Sequence, residues 1–129
     1  VELRADGSFV DWLTENQGPG LHRQSKVERP EMFLAVSGKA QGGPRVSVPI
    51  RTHPPKASPT SGHRSMQGLS YSGAFPFARL TLHDDELPFD ADLFTWSPFK
   101  LWDAEASSVP GVVFALRVRN RLDVPVQAS

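Results

Sequence analysis

The sequence predicts an all-β protein, an antiparallel β-sandwich, and three observations carry that expectation. Twelve Pro and ten Gly, about a sixth of 129 residues, break helices and suit short strands joined by turns. Several runs alternate apolar and polar residues with a period of two, most clearly over residues 111–119. No segment sustains the period of 3.6 that an amphipathic helix needs. Seven or so short strands with loops between them give a sandwich as the simplest way to bury one face of each.

The elements follow in order along the chain. Residues 1–12 read as a hairpin: V-E-L-R alternates, Ala5-Asp6-Gly7-Ser8 supplies turn chemistry, and Phe9, Val10 and Trp12 resume a strand. Residues 14–30 are polar, carry G-P-G at 18–20, and read as a loop. M-F-L-A-V-S at 32–37 is an apolar run of strand length. R-V-S-V-P-I at 45–50 alternates, and Pro49, which lacks a donor, places that strand at an edge. A Pro/Gly/Ser-rich loop is expected over about 38–68, with nothing to bury in its 53–68 part. Ala78, Leu80 and Leu82 then share one face, and 91–96 forms a further strand stopped by Ser97-Pro98. In 111–119, Val112, Phe114, Leu116 and Val118 are expected to be buried together while Arg117 and Arg119 face water. Val124, Val126 and Ala128 begin another strand.

Length allows at most one domain, so residues 1–129 read as part of a single β-sandwich. The chain opens on Val1 directly into a strand pattern and stops with another running, so both ends read as cut from a larger chain. Fourteen basic residues balance fourteen acidic ones, which argues against a dedicated binder of nucleic acid or membrane surface. Zero Cys excludes a disulfide framework, thiolate zinc sites and thiol catalysis, and points to the cytoplasm. No window approaches the ~20 apolar residues of a transmembrane segment.

Charge is distributed in blocks. Between Met32 and His83 there is no acid, yet Lys39, Arg45, Arg51, Lys56, Arg64 and Arg79 fall there; from Asp84 onward eight acids meet four bases. With no aromatics interleaved between Lys39 and Arg64, the basic block reads as solvated loops and edges rather than a base-stacking arm. Asp84, Asp85, Glu86, Asp90, Asp92 and Asp103 are the carboxylates that glycoside hydrolysis could use by type. Asp84-Asp85-Glu86 sits where a strand meets a turn, so its Asp is expected to accept turn hydrogen bonds and stay solvated. His22, His53, His63 and His83 lie in or beside polar loops without ligand spacing, and no G-x-S-x-G elbow occurs. The expected catalytic, metal and cofactor sets are therefore empty.

Aromatic rings are the features suited to contact with sugar. Trp12, Trp96, Trp102, Tyr71 and Phe75 each offer a flat apolar face to pyranose C–H groups. Trp96, beside Leu93 and Phe94, is expected in the core. Trp102, in F-K-L-W-D-A-E, is the surface candidate for contact with sugar or with another domain.

Several motifs stand in a recognisable order. Glu2, Leu3, Asp6 and Gly7 form E-L-x-x-D-G, followed by Phe9, Trp12 and Asn16. Tyr71, Gly73 and Phe75 form Y-x-G-x-F; Leu87-Pro88 and Ser97-Pro98-Phe99 form turns; Ser107 to Pro110 leads into Val113-Phe114, and Asn120 ends the strand. Over about 1–16 and 71–129, with the middle unmatched, the chain resembles the amino-terminal β-sandwich of the non-lysosomal glucosylceramidase and bile-acid β-glucosidase family, glycoside hydrolase family 116.

That resemblance implies hydrolysis of β-glucosides with retention of configuration by the full-length protein. It places the catalytic Glu and Asp in a carboxy-terminal (α/α)6 barrel that would be this chain's partner. The chain alone is then non-catalytic and meets the β-glucoside substrate only through the full-length enzyme. The alternative is a free-standing carbohydrate-binding or adhesion-type sandwich module.

Overall fold

The computed structural model describes residues 2–14, 24–28, 33–53, 64–98, 100–107 and 111–129; for residues 2, 9–14 and 24–28 it describes the backbone. The described strands are β1 (Glu2–Leu3), β2 (Phe9–Thr14), β3 (Gln24–Glu28), β4 (Ala35–Ala40), β5 (Arg45–Pro49), β6 (Gly68–Ala74), β7 (Phe77–His83), β8 (Phe89–Trp96), β9 (Val113–Asn120) and β10 (Val126–Ala128). Among the described residues one short helix, α1 (Ala104–Ser107), stands between β8 and β9. The strand orders are β1-β2-β3, β10-β4-β5 and β6-β7-β8-β9, with every pairing antiparallel. The chain is an all-β sandwich. Among the described residues no helix is long and apolar enough to cross a membrane.

Register explains the core. Leu69 pairs with Leu82, Leu80 with Leu93, Ala91 with Val118 and Leu93 with Leu116, so alternation puts all of them on one face of the four-stranded sheet. Opposite them, Val36 pairs with Val48, and both are buried with Ile50. Met66, Leu87 and Phe89 complete the cluster. Gly38 lies where β4 crosses β8 closely: a Cβ there would come within 2.6 Å of Pro88 Cδ and 2.7 Å of Phe89 Cε1.

The opening hairpin forms as its turn residues require. The Arg4 and Gly7 amides donate to the carbonyls of Ser8 and Arg4, and Gly7 takes φ 81°. Asp6 accepts from the Ser8 amide and hydroxyl, while its own carbonyl accepts from Thr52 just beyond β5. Asn120 closes β9 in a similar way. Its side chain donates to the Val124 carbonyl and accepts from the Leu122 amide, turning the chain from one sheet toward β10 in the other. Pro49 does lie on an edge strand, β5.

Several expectations are corrected. The 14–30 region, read as a loop, contains β3, paired with β2 from Val10↔Glu28 to Thr14↔Gln24. Residues 15–23 and 29–30 of that loop lie outside the described residues. β6 runs through G-L-S-Y-S-G-A, a segment of weak strand propensity made a strand by seven pairs with β7. β4 starts at Ala35 and extends through Ala40. In the 53–68 segment read as having nothing to bury, Met66 is a core residue; residues 54–63 lie outside the described residues.

The largest correction concerns β9. Val112, Phe114, Leu116 and Val118 do share a face, but they are 38–43% exposed rather than buried. The cause is position in the sheet. Among the described residues β9 is the edge strand of its sheet, and the facing sheet has three strands against four, with the buried residues concentrated on β7 and β8.

Candidate functional site

At one end of the sandwich, β6 and β7 are closed by the two residues Phe75-Pro76, with Ala74 paired to Phe77 across the turn. Phe77 pairs with Trp96 and Trp96 with Val113, bringing the hairpin tip beside the end of β8 and the start of β9. The result is an open cleft of about 330 Å³ whose walls include Tyr71, Phe75, Phe77, Trp96, Phe114 and Leu3. Phe77 and Trp96 meet as a tilted pair with ring centroids 6.4 Å apart. Phe75 is 81% exposed. Trp96, expected in the core, is half-buried in the cleft wall, because the parity of β8 assigns the interior to Leu93 and Thr95 instead. The Trp12 side chain lies outside the description.

Trp102 follows β8 by six residues and is 96% exposed, as a surface residue should be. Its φ of 63° is unusual for a bulky residue and is held by the turn around it. The Asp103 amide donates to the Lys100 carbonyl, and Lys100 Nζ lies 2.8 Å from Asp103 Oδ2. Ser107 Oγ accepts from the Lys100 amide and donates to the Lys100 carbonyl. Asp103 Oδ1 also accepts the Ala106 amide, capping α1. A fixed loop therefore carries the indole into solvent. Its neighbour Leu101 is exposed as well.

The carboxylates serve other ends. Asp84 is buried, not solvated as expected: its side chain accepts both prongs of the Arg64 guanidinium, at 2.6 and 2.8 Å, and the Gln67 and Glu86 amides. Burial alone would raise its pKa; the Arg64 hydrogen bonds and charge outweigh that and hold it below the ordinary value. On the outer face of the four-stranded sheet, Asp92 sits between Arg79 and Arg117, each 2.6 Å away, and also accepts from Thr81. Burial opposes its ionisation too, yet Arg117, Thr81 and Arg79 bring its pKa down to about 2. The same guanidinium groups flank the Phe94 ring, their carbons 5.7 and 5.3 Å from its centroid. Asp90 pairs with Arg119 at 2.6 Å. Asp103, held by Lys100 and the Ala106 amide, is lowered as well.

These shifts run opposite to the need of a general acid, whose pKa must be raised toward neutrality. The ion pairs instead join the two charge blocks of the sequence, Arg64 to Asp84 and Arg79 to Asp92. No reading of local sequence reveals that pairing, although the missing acids between 32 and 83 signal that those bases find partners elsewhere. Of the histidines, His83 Nε2 lies 2.7 Å from Ser70 Oγ and His53 Nδ1 lies 3.0 Å from Thr52 Oγ1; His22 and His63 fall outside the described residues. Among the described residues no group of three or more acids and histidines is arranged for a metal ion.

The family described as "beta-glucosidase 2, glycosyl-hydrolase family 116 N-term" matches residues 1–129, including the middle that the motifs left unmatched. No curated protein matches the chain.

Proposed function

This chain belongs to the glycosyl-hydrolase family 116 amino-terminal domain family, and from that premise we propose that it is the non-catalytic β-sandwich of a retaining β-glucosidase or glucosylceramidase-like enzyme. It packs against a carboxy-terminal catalytic barrel of the same protein and supports it. The match along all 129 residues carries this reading. Two features of the fold support it. The carboxyl groups of Asp6, Asp84, Asp92 and Asp103 are held below their ordinary pKa by structural partners, and Phe75, Phe77, Leu101 and Trp102 expose large apolar side chains that suit contact with another domain. Trp102 is the residue assigned to the barrel or to the mouth of its active site.

The test uses the full-length protein and a nitrophenyl β-glucoside. Asp84→Asn, Asp92→Asn and Asp103→Asn should each leave kcat within about tenfold, because none touches the transition state. A loss on the order of a thousandfold from one of them would overturn the non-catalytic assignment. Phe77→Glu combined with Trp102→Glu should lower the temperature at which activity is lost; an unchanged value would remove that end as the packing surface. The exposed Tyr71 and Phe75 in the cleft favour a carbohydrate-binding module as second reading, and a full-length protein that binds β-glucan without hydrolysing any β-glucoside would establish it.

A further inference from the structure

The inner face of the four-stranded sheet changes character toward its Phe75-Pro76 end. One row across β6, β7 and β8 is large: Tyr71, Leu80 and Leu93. The next row, Gly73, Ala78 and Thr95, is small, and Ala78 and Thr95 line the open cleft of about 330 Å³. Tyr71 leans along β6 over that row. A Cβ at Gly73 would come within 2.6 Å of Tyr71 Oη and 2.9 Å of its Cζ, so the absent side chain is what admits the ring. The ring remains half exposed in the cleft wall. Thr95 is only 7% exposed, yet among the described residues its hydroxyl has no hydrogen-bond partner, and the cleft it lines leaves that oxygen accessible. The Tyr71 hydroxyl likewise has no partner among the described residues. A hydroxyl left unpaired in so buried a residue costs free energy that a ligand hydroxyl would recover.

We propose that the cleft binds one uncharged pyranose ring, a β-glucosyl unit, with its C–H face on the Tyr71 ring and its hydroxyls hydrogen-bonded to Thr95 Oγ1 and Tyr71 Oη. The chemistry of the walls selects this class. None of the described residues lining the cleft is charged, so a phosphate or carboxylate would lose its water and gain no counter-charge. A purely apolar ligand such as an acyl chain would bury the Thr95 hydroxyl unpaired. A sugar ring carries an apolar face for the tyrosine and hydroxyls that both donate and accept, as those of Thr and Tyr do. Ligand sites span about 300–1,000 Å³, and this cleft stands at the small end of that range, which suits a single ring rather than a chain of them. The choice of glucose configuration rests on the reading of this chain as part of a β-glucosidase; the binding chemistry does not.

The test titrates the full-length protein calorimetrically with methyl 1-thio-β-glucoside, whose sulfur linkage resists hydrolysis. The expected result is a binding component that Tyr71→Ala removes and that Thr95→Val and Tyr71→Phe each weaken by roughly three- to tenfold, the worth of one hydrogen bond. The last two variants keep the shape of the native side chains, so they decide the matter if Tyr71→Ala fails to fold. Sorbitol, which has the hydroxyls but no ring face, should not compete for that component. Identical isotherms for the wild type and the three variants overturn the proposal, as does effective competition by sorbitol. Tighter binding by Thr95→Val assigns the cleft to an apolar ligand and also overturns it. Hydrolysis of nitrophenyl β-glucoside by the wild type is scored separately. Its absence with the Tyr71-dependent component intact defeats the enzyme reading and upholds the sugar site; hydrolysis without that component defeats the sugar site alone.

Discussion

Arg64 and Asp84, twenty residues apart, form a two-pronged ion pair in which the Asp84 side chain is 0% exposed and the Arg64 side chain 31%. The pair ties the chain entering β6 to the turn leaving β7, and so bolts Met66 into the core. Its two halves are not equivalent. Removing Asp84 leaves a cation that can still reach water, whereas removing Arg64 strands a buried anion with two backbone donors. Arg64→Leu is therefore expected to cost about 3 kcal/mol, and Asp84→Asn less. Urea unfolding of both single variants and the double variant measures this; an Arg64→Leu effect below that of Asp84→Asn would contradict the asymmetry.

Asp92 gives the fold an acid sensitivity of defined sign. Its pKa is about 2 in the folded chain against an ordinary 3.8, so the unfolded chain takes up its proton first as pH falls. The stabilisation is complete above about pH 4 and disappears as pH drops toward 2. Since Arg79 and Arg117 are themselves 44% and 63% exposed, solvent screening reduces the effect to ~1–2 kcal/mol. The stability gap between wild type and Asp92→Asn should be steady near neutrality and close between pH 4 and 2. A gap that widens on acidification would refute the assignment.

Gly7 should tolerate no side chain. Its φ of 81° disfavours any L-residue, and a Cβ would sit 1.8 Å from the Ile50 carbonyl oxygen. Gly7→Ala is expected to cost roughly 3 kcal/mol or more by combining backbone strain with displacement of β5. Thermal unfolding within a degree of wild type would show that the hairpin turn does not dock on β5.

Truncations on the shared inner face should divide by strand. Leu80→Ala, at a fully buried position, is expected to cost about 3–5 kcal/mol. Phe114→Ala, at 39% exposure on the edge strand, should cost only about 1–2 kcal/mol in the 129-residue chain despite removing more atoms. Denaturant midpoints of the two variants decide it, and equal losses would mean that β9 is covered after all.

The strands with regular alternation, β7, β8 and β9, were legible because a period of two is written in the residues themselves. β3 and β6 were not. Q-S-K-V-E and G-L-S-Y-S-G-A have little intrinsic preference for a strand and acquire it by pairing with β2 and β7. Trp102 could be placed on the surface from its polar, charged loop. The aromatic cleft could not be read, since Tyr71, Phe77, Trp96 and Phe114 come from four strands and from both faces of the sheet, and only the fold brings them to one cleft.

The amino-acid sequence by itself determined the class, all-β and antiparallel, and which residues of each regular strand share a face, because backbone geometry fixes alternation locally. It also determined the turns at Gly7 and Asn120, where side-chain and φ requirements act over a few residues. Only the tertiary structure decided which of those faces is buried. Leu93 and Leu116 are paired neighbours on one face, yet Leu93 is interior and Leu116 is 40% exposed. The difference is whether a facing strand lies above them. The same holds for charge: Asp84 reads as a solvated turn residue until Arg64, distant in sequence, is folded against it. Burial depends on what the rest of the chain brings to a surface, and that is a property of topology rather than of local pattern.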